Sequence, residues 1–169
     1  MTQLNPDLPP SNVPPRDGTF AAVLGHPEFP RDRWHLRAFK SGALILREGE
    51  QSGHLYMVQS GSVRIEGSVK LQSGRQFQAG VTNLGAGGVF GELALFDQQP
   101  HSASVFANGD TTVIAIEGGA LLEFLAHHRE LGYDVFKDFL TQLAPRLRAT
   151  SARVYKFLAW GLKAYHLDQ

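Results

Sequence analysis

The run Gly91-Glu92-Leu93-Ala94 combines residue types that can hold a small anion attached to a sugar. A glycine lets the backbone approach a ligand closely because it has no Cβ atom. If a helix starts at Leu93 and Ala94, its first turn offers unpaired N–H groups that suit a phosphate. The carboxylate of Glu92 can accept hydrogen bonds from ribose hydroxyls, or it can simply complement the dipole of that helix. The run therefore predicts a site for ribose and phosphate.

A second segment, Pro100-His101-Ser102-Ala103, follows shortly after. An arginine at position 101 would supply a planar, permanently charged clamp for the anion, but this chain has His101 there. A neutral imidazole offers at most one N–H, and its ordinary pKa is near ~6.5. Loss of one charge-assisted hydrogen bond to a buried anion costs about 1.5–3 kcal/mol, which corresponds to roughly 10- to 100-fold weaker binding or more.

His101 leaves several readings open. The phosphate could protonate the imidazole, because a nearby anion favours the charged form, and binding would then weaken as the pH rises past the shifted pKa. Another basic residue, such as Arg75, could reach in from a loop. The pocket could instead be vestigial or adapted to another effector, and His101 could be a partly buried strand histidine with no ligand role.

Two patterns surround these segments. Between Leu36 and about Ile116, short apolar or alternating runs are separated by glycine and other turn residues. This predicts about eight short strands in a small antiparallel β-barrel or jelly roll. After Gly119 the apolar residues recur at helical spacing, which predicts a long amphipathic helix that Pro145 should kink or divide. The fold class is therefore mainly β, with flanking helices and a long C-terminal helix.

The chain of 169 residues divides into one domain with extensions. Residues 1–17 contain five prolines, which is typical of a disordered tail. Residues 18–128 are expected to form the barrel with its short helices, and a short helix could begin at Phe20 to Leu24. Residues 129–167 are expected to form the long helix.

Composition excludes several classes of protein. A formal net charge of zero gives no overall basic footprint for nucleic acid. The absence of cysteine excludes disulfides and thiolate metal sites and suits a cytoplasmic protein. No membrane span, secretory signal, P-loop or nucleophile elbow is found, and the histidines lack the spacing of a metal-binding barrel. We therefore expect neither an enzyme nor a metal site or cofactor.

The motifs resemble those of a known family. Residues 90–95 match the Phe-Gly-Glu-Leu-Ala-Leu pattern of the phosphate-binding cassette in cyclic nucleotide-binding domains, where Pro-Arg-Ser/Thr-Ala follows. Residues 84–92 are similar to the approach to that cassette, although Gly88 stands where an aspartate is usual. The resemblance covers most of residues 35–165. It implies the family's barrel, a phosphate site that His101, Ser102 and Ala103 complete, and a cyclic nucleotide ligand, with cyclic AMP as the expected one.

The second half resembles the effector domain of Crp/Fnr-type regulators more closely, through residues 146–154. In that family an adjacent Thr-Ser pair on the long helix contacts the base, which implies Thr150 and Ser151 for this role. Adjacent helical residues point about 100° apart, so one hydroxyl could face the ligand while the other faces a partner helix. In the simpler alternative, both are neutral residues on the helix surface.

The long helix also bears on the output. It should extend beyond a barrel about 25–30 Å across, because a helix rises ~1.5 Å per residue, and this favours a homodimer. Only 18 residues follow Ser151, so no DNA-reading domain is expected and the signal would pass to a partner protein or to the dimer geometry. The basic residues of the helix would form a solvated face or a membrane or nucleic-acid patch. They are Arg146, Arg148, Arg153, Lys156 and Lys163.

These expectations combine into a regulatory domain that senses a cyclic nucleotide. The alternative is a degenerate module that keeps the barrel but binds no nucleotide and acts as a structural or protein-interaction unit. A second alternative is an enzyme built on a related metal-binding barrel.

Overall fold

A computed structural model describes residues 18–70, 74 and 76–164. The proline-rich segment, Arg75 and the predicted end of the long helix at residues 165–167 lie outside the described residues.

The described residues contain eight strands, which pair in antiparallel fashion within two four-stranded sheets. The strands are β1 (Trp34–Phe39), β2 (Leu44–Leu46), β3 (His54–Ser60), β4 (Val63–Lys70), β5 (Gln76–Leu84), β6 (Val89–Phe90), β7 (Ser104–Ala107) and β8 (Thr111–Glu117). The first sheet has the order β1-β8-β3-β6, and the second has the order β2-β7-β4-β5. This confirms the predicted antiparallel jelly-roll type of fold.

The described part of the chain also forms four α-helices. They are α1 (Thr19–Gly25), α2 (Glu92–Asp97), α3 (Gly118–His127) and α4 (Arg129–Ala164), and a 3₁₀ turn lies at Arg31–Arg33. The short helix expected near Phe20 is α1. Pro145 lies inside α4, which continues from Arg129 to Ala164. None of the described helices is long and apolar enough to cross a membrane.

Strand β8, in the interior of the first sheet, is buried on both faces. Successive side chains of a strand point to opposite faces, and both sets are apolar here. Val113 and Ala115 pack among residues of the second sheet, whereas Ile114 and Ile116 pack among residues of the helices. The core therefore has two layers, one between the sheets and one between the first sheet and the helices.

Helix α4 is packed over only part of its length. Val135 and Phe139 are buried in the helical layer, where Phe139 lies against Phe20 of α1 with 5.8 Å between ring centroids. Farther along the helix, Leu147 and Val154 are exposed. The beginning of α4 is thus fixed to the barrel, while its later turns present apolar side chains to their surroundings.

A glycine fixes the turn between β3 and β4. Gly61 has φ +79°, and a Cβ built there would lie 2.5 Å from the carbonyl oxygen of Asp110 and 2.8 Å from Oγ1 of Thr111. That hydroxyl donates to the carbonyl of Ser62 at 2.8 Å. The β3–β4 turn and the start of β8 therefore close on each other with no room for a side chain. Gly42 has the same φ of +79° but open space around it.

We predict that Gly61→Ala destabilises the protein much more than Gly42→Ala. Both variants place a side chain in the left-handed region, which costs about 1–2 kcal/mol. Only Gly61→Ala adds overpacking, worth about 1–3 kcal/mol more. Urea unfolding followed by circular dichroism measures both free energies, and equal losses would contradict the close packing at this turn.

Candidate functional site

The predicted cassette forms a strand, a glycine and a short helix. Strand β6 pairs with β3, and the rings of Tyr56 and Phe90 stack with 5.3 Å between centroids. Gly91 follows with φ 78°, and α2 begins at Glu92. A Cβ at Gly91 would lie 3.2 Å from the carbonyl oxygen of His54. Glycine is therefore required both by the backbone conformation and by the close approach of β3.

Glu92 is almost fully buried at the start of α2, with 5% of its surface exposed. Its Oε1 accepts a hydrogen bond of 3.1 Å from Nη1 of Arg146 in α4, and the two form an ion pair. Burial raises the pKa of the Glu92 carboxyl, while its own backbone N–H and the charge of Arg146 act in the opposite direction. The carboxylate is thus held in a poorly hydrated place by a cation from a distant helix.

Arg146 also bonds to the backbone that leads into the cassette. Its Nη2 donates to the carbonyl of Val89 at 2.7 Å and to Oε1 of Gln142 at 3.3 Å. Gln142 in turn accepts the N–H of Val89 at 3.1 Å and donates to the carbonyl of Gly87 at 3.4 Å. Two residues one turn apart on α4 therefore hold this helix against the strand before Gly91.

The sequence-based interpretation missed these two residues. The basic pattern of α4 predicts a solvated face that includes Arg146, and this is wrong for Arg146 because its side chain is mostly buried against Glu92 and Val89. A signal was available, since Gln142 and Arg146 are four positions apart and so lie on the same side of a helix. Nothing in their spacing, however, identifies the carboxylate they would meet.

His101 is buried in the loop before β7, with 6% of its surface exposed, and does not lie in a strand. Its backbone N–H donates to the carbonyl of Glu50, and its carbonyl accepts the N–H of Gly49, both at 2.9 Å. The ring Nε2 lies 2.9 Å from Oγ of Ser52. Burial lowers the pKa of His101, although Glu50 opposes the shift. The fold therefore favours a neutral imidazole hydrogen-bonded to a serine.

Both parts of the predicted phosphate site meet the same stretch of chain. Gly91 approaches the backbone of His54, and His101 pairs with residues 49–52. Of the other predicted site residues nearby, Ala94 and Ala103 are half-buried, whereas Leu93 and Ser102 are exposed. The connection between β2 and β3 thus joins the two ends of the cassette.

Thr150 and Ser151 lie on α4, about one turn beyond Arg146. Thr150 is exposed, and its Oγ1 donates to the carbonyl of Arg146 at 2.9 Å. Ser151 is half-buried. The predicted base-contacting pair therefore lies on the same helix that reaches Glu92.

The fold and the cassette define a jelly-roll domain with a strand–glycine–helix motif, and comparison with known proteins identifies its family. The cyclic nucleotide-binding domain pattern matches residues 36–128. The chain belongs to the cyclic nucleotide-binding domain family. A solved cyclic nucleotide-binding domain from Methylobacillus flagellatus is 25% identical and superimposes with a TM-score of 0.63, covering 74% of this chain and 68% of that one.

Two relatives are regulatory proteins. The CRP-like cAMP-activated global transcriptional regulator of Mycobacterium tuberculosis is 31% identical over 117 residues, which are 67% of this chain and 47% of that protein. The cAMP-dependent protein kinase type II regulatory subunit of Drosophila melanogaster is 30% identical over 113 residues, 63% of this chain and 27% of that protein. The chain thus spans less than half of the length of either relative.

We predict a strong energetic coupling between Glu92 and Arg146. In a double-mutant cycle of Glu92→Gln and Arg146→Met, the single change Arg146→Met should cost about 1.5–3 kcal/mol because it leaves a buried carboxylate without its charged donor. The same change made in the Glu92→Gln background should cost clearly less, giving a coupling of roughly 0.5–3 kcal/mol. Denaturant unfolding of the ligand-free protein provides the measurement.

Arg148→Met is the matched control, since Arg148 is an exposed arginine on the same helix. Its loss should be within about 0.5 kcal/mol of zero. Additive effects of the two changes at Glu92 and Arg146 would show that the pair does not hold α4 to the cassette.

Proposed function

We propose that this protein is a regulatory domain that binds cyclic AMP between the cassette and α4, and that α4 transmits occupancy to a partner or to a second copy. The observation that carries the proposal is the contact of Arg146 with Glu92. It connects the residue best suited to bind ribose with the helix best suited to carry a signal. The regulatory relatives support a sensing role over a catalytic one.

Glu92 is proposed to accept a hydrogen bond from the ribose. A carboxylate has about four lone-pair sites, and the bond from Arg146 uses one of them on Oε1. A ligand hydroxyl at Glu92 would therefore share the carboxylate with Arg146 and alter the balance of its hydrogen bonds. Because Arg146 and Gln142 hold α4 to residues 87–89, a change at Glu92 acts directly on the position of the helix.

The phosphate is proposed to lie beside Gly91 and His101. Strand β3 occupies the side of Gly91 where a Cβ would project, so the phosphate would approach the backbone of Gly91 from the opposite side. His101, with Ser102 and Ala103 after it, replaces the arginine of the family pattern, so its ring must supply the donor. Ser52 already lies at hydrogen-bond distance from its Nε2, and a bound anion would compete for that nitrogen or share it.

The base is proposed to lie under Thr150 and Ser151. These residues follow Arg146 by one helical turn, and neither is fully buried, so both retain surface for a ligand. The hydroxyl of Thr150 now donates to the backbone of its own helix. That bond is local and weak enough to be exchanged for a contact with the base.

A second copy of the chain is the proposed occupant of the outer face of α4. Leu140, Leu147 and Val154 recur every seven residues and are exposed by 68%, 69% and 49%. A seven-residue apolar repeat is the pattern by which two helices pack along each other. Exposed apolar side chains continue along α4 as far as Leu162. A contact between two α4 helices would cover this surface, which is otherwise costly to expose.

We predict that cyclic AMP binds more tightly as the pH falls. In the free protein burial lowers the pKa of His101, whereas a bound phosphate would raise the pKa of the same ring. Between these two values binding takes up a proton, so the affinity increases by up to about tenfold for each unit of decrease in pH. Below the pKa that His101 has in the free protein, its ring is already charged and the affinity levels off. Isothermal titration calorimetry at several pH values provides the measurement.

His101→Arg should tighten binding by roughly 10- to 100-fold at neutral pH and should abolish the pH dependence. His127→Gln removes an exposed histidine at the end of α3 and should leave both unchanged. Absence of binding heat and of thermal stabilisation at millimolar cyclic AMP, in both the native protein and His101→Arg, would instead support the non-binding module.

We predict that the native chain is a dimer and that Leu147→Glu or Val154→Glu makes it monomeric. A buried charge without a partner opposes helix pairing strongly. Sedimentation equilibrium across a concentration series gives the mass directly. Lys156→Glu, an exposed change on the same helix, should leave the dimer intact. A native protein that is monomeric throughout the series would exclude a dimer formed by α4.

A further inference from the structure

Three side chains of types that bind metal ions lie close together where α1 ends and α4 begins. His26 follows the last residue of α1, Glu28 lies in the next loop, and His128 lies between α3 and α4. Each offers one ligand atom, and these atoms all lie within 4.8 Å of one another. Because 102 residues separate His26 from His128, the fold alone brings them together.

His128 is oriented for coordination. Its Nδ1 lies 2.9 Å from the carbonyl oxygen of Phe124, which can only accept, so Nδ1 carries the proton. The ring also stacks on Phe124 with 4.0 Å between centroids. In a neutral imidazole this leaves the lone pair on Nε2, and a backbone carbonyl behind the ring is the usual support of a metal-binding histidine.

The Nε2 of His128 faces a carboxylate oxygen of Glu28 at 3.0 Å. An imidazole nitrogen with a free lone pair and a carboxylate oxygen can both bind the same cation. His26 adds a second imidazole beside the same carboxylate, because its ring lies 4.6 Å from the ring of His128.

His26 and Glu28 can adjust at little cost. The Nδ1 of His26 accepts the N–H of Glu28 at 3.2 Å, which is a long and exposed hydrogen bond. The side chain of Glu28 is 71% exposed. Donors around a tetrahedral zinc ion lie roughly 3.4 Å apart, given metal–ligand bonds of about 2.0–2.1 Å; here Nε2 of His128 and the Glu28 oxygen are 3.0 Å apart, and all three atoms lie within 4.8 Å of one another.

We propose that His26, Glu28 and His128 bind a divalent transition-metal ion of the zinc type, with water in the remaining position. Two imidazoles and one carboxylate form a ligand set that suits zinc and disfavours magnesium or calcium. A cavity of about 560 Å³ adjoins the cluster and is lined in part by Glu28, His127 and His128. It gives room for the water ligand and a route for the ion.

The position of this site gives it a mechanical consequence. His128 immediately precedes α4, and α1 already packs on α4 through Phe20 and Phe139 and through the hydrogen bond from Thr19 to Asp138. A metal ion bound by both His26 and His128 would cross-link the C-terminal end of α1 to the N-terminal end of α4. It would therefore restrict α4 at one end, while Arg146 holds it at the cassette.

The test is calorimetric titration of the untagged full chain with zinc sulfate and, separately, with magnesium sulfate. We expect one zinc ion per chain, no magnesium binding and a zinc-dependent rise in melting temperature. Glu28→Gln and His26→Gln should each weaken zinc binding by more than about tenfold, since even outer-shell changes at metal sites cost that much. Glu28 is exposed and outside the core, so its variant should fold normally.

His35→Gln is the matched control, because His35 is an exposed histidine whose ring lies near another, His54, and it should leave the affinity unchanged. With cobalt in place of zinc, a visible absorption band that disappears in Glu28→Gln would confirm the ligand set. No saturable zinc binding, or equal weakening by His35→Gln, would overturn the proposal and leave a direct contact between His128 and Glu28 in its place.

Discussion

The buried contact between Glu92 and Arg146 constrains where the long helix can lie. Removing two charges from water is costly, and their attraction offsets that cost only if the remaining donors are also bonded. Here the guanidinium reaches the Glu92 carboxylate, the Val89 carbonyl and the Gln142 side chain together. Gln142 lies in α4 itself, but Glu92 and Val89 are available only when α4 crosses the junction of β6 and α2. The ion pair therefore contributes less to the net stability of the fold than to fixing the position of α4 relative to β6 and α2.

Packing places α4 so that this requirement can be met. The first sheet buries Ile114 and Ile116 against the helices, and Val135 and Phe139 of α4 enter the same layer. This sets the first turns of the helix, from which Gln142 and Arg146 follow at the right rise and rotation to reach residues 87–92. Beyond Arg146 the helix leaves the core, and its apolar side chains are exposed. Packing against the barrel thus fixes the position of the buried part of α4, whereas the exposed part has no such packing within the described residues.

The sequence predicted well what depends on neighbouring residues. The alternation of apolar residues predicted the strands, and Gly91-Glu92-Leu93-Ala94 predicted a tight turn into a helix, because glycine and helix-start chemistry act over a few positions. It did not predict that Arg146 leaves the solvated face, because the choice of Glu92 as its partner is made by tertiary packing. The meeting of His26 with His128 was missed for the same reason. Local pattern identifies which residues can do chemistry, whereas the fold decides which of them do it together.

Histidine and arginine at position 101 differ in the free energy of the protein without a bound anion and in the free energy of binding one. An arginine buried without an anion leaves a permanent charge poorly solvated, which is expensive. A histidine can instead lose its proton, and in this fold its neutral ring lies against Ser52, with the Nε2 and Oγ atoms 2.9 Å apart. The empty site is then electrically neutral at position 101 and needs no counter-ion. In the proposed complex the bound anion would bring the proton back, so its affinity would include the free energy of charging a buried imidazole. Histidine in place of arginine at this position would therefore make the proposed binding depend on pH.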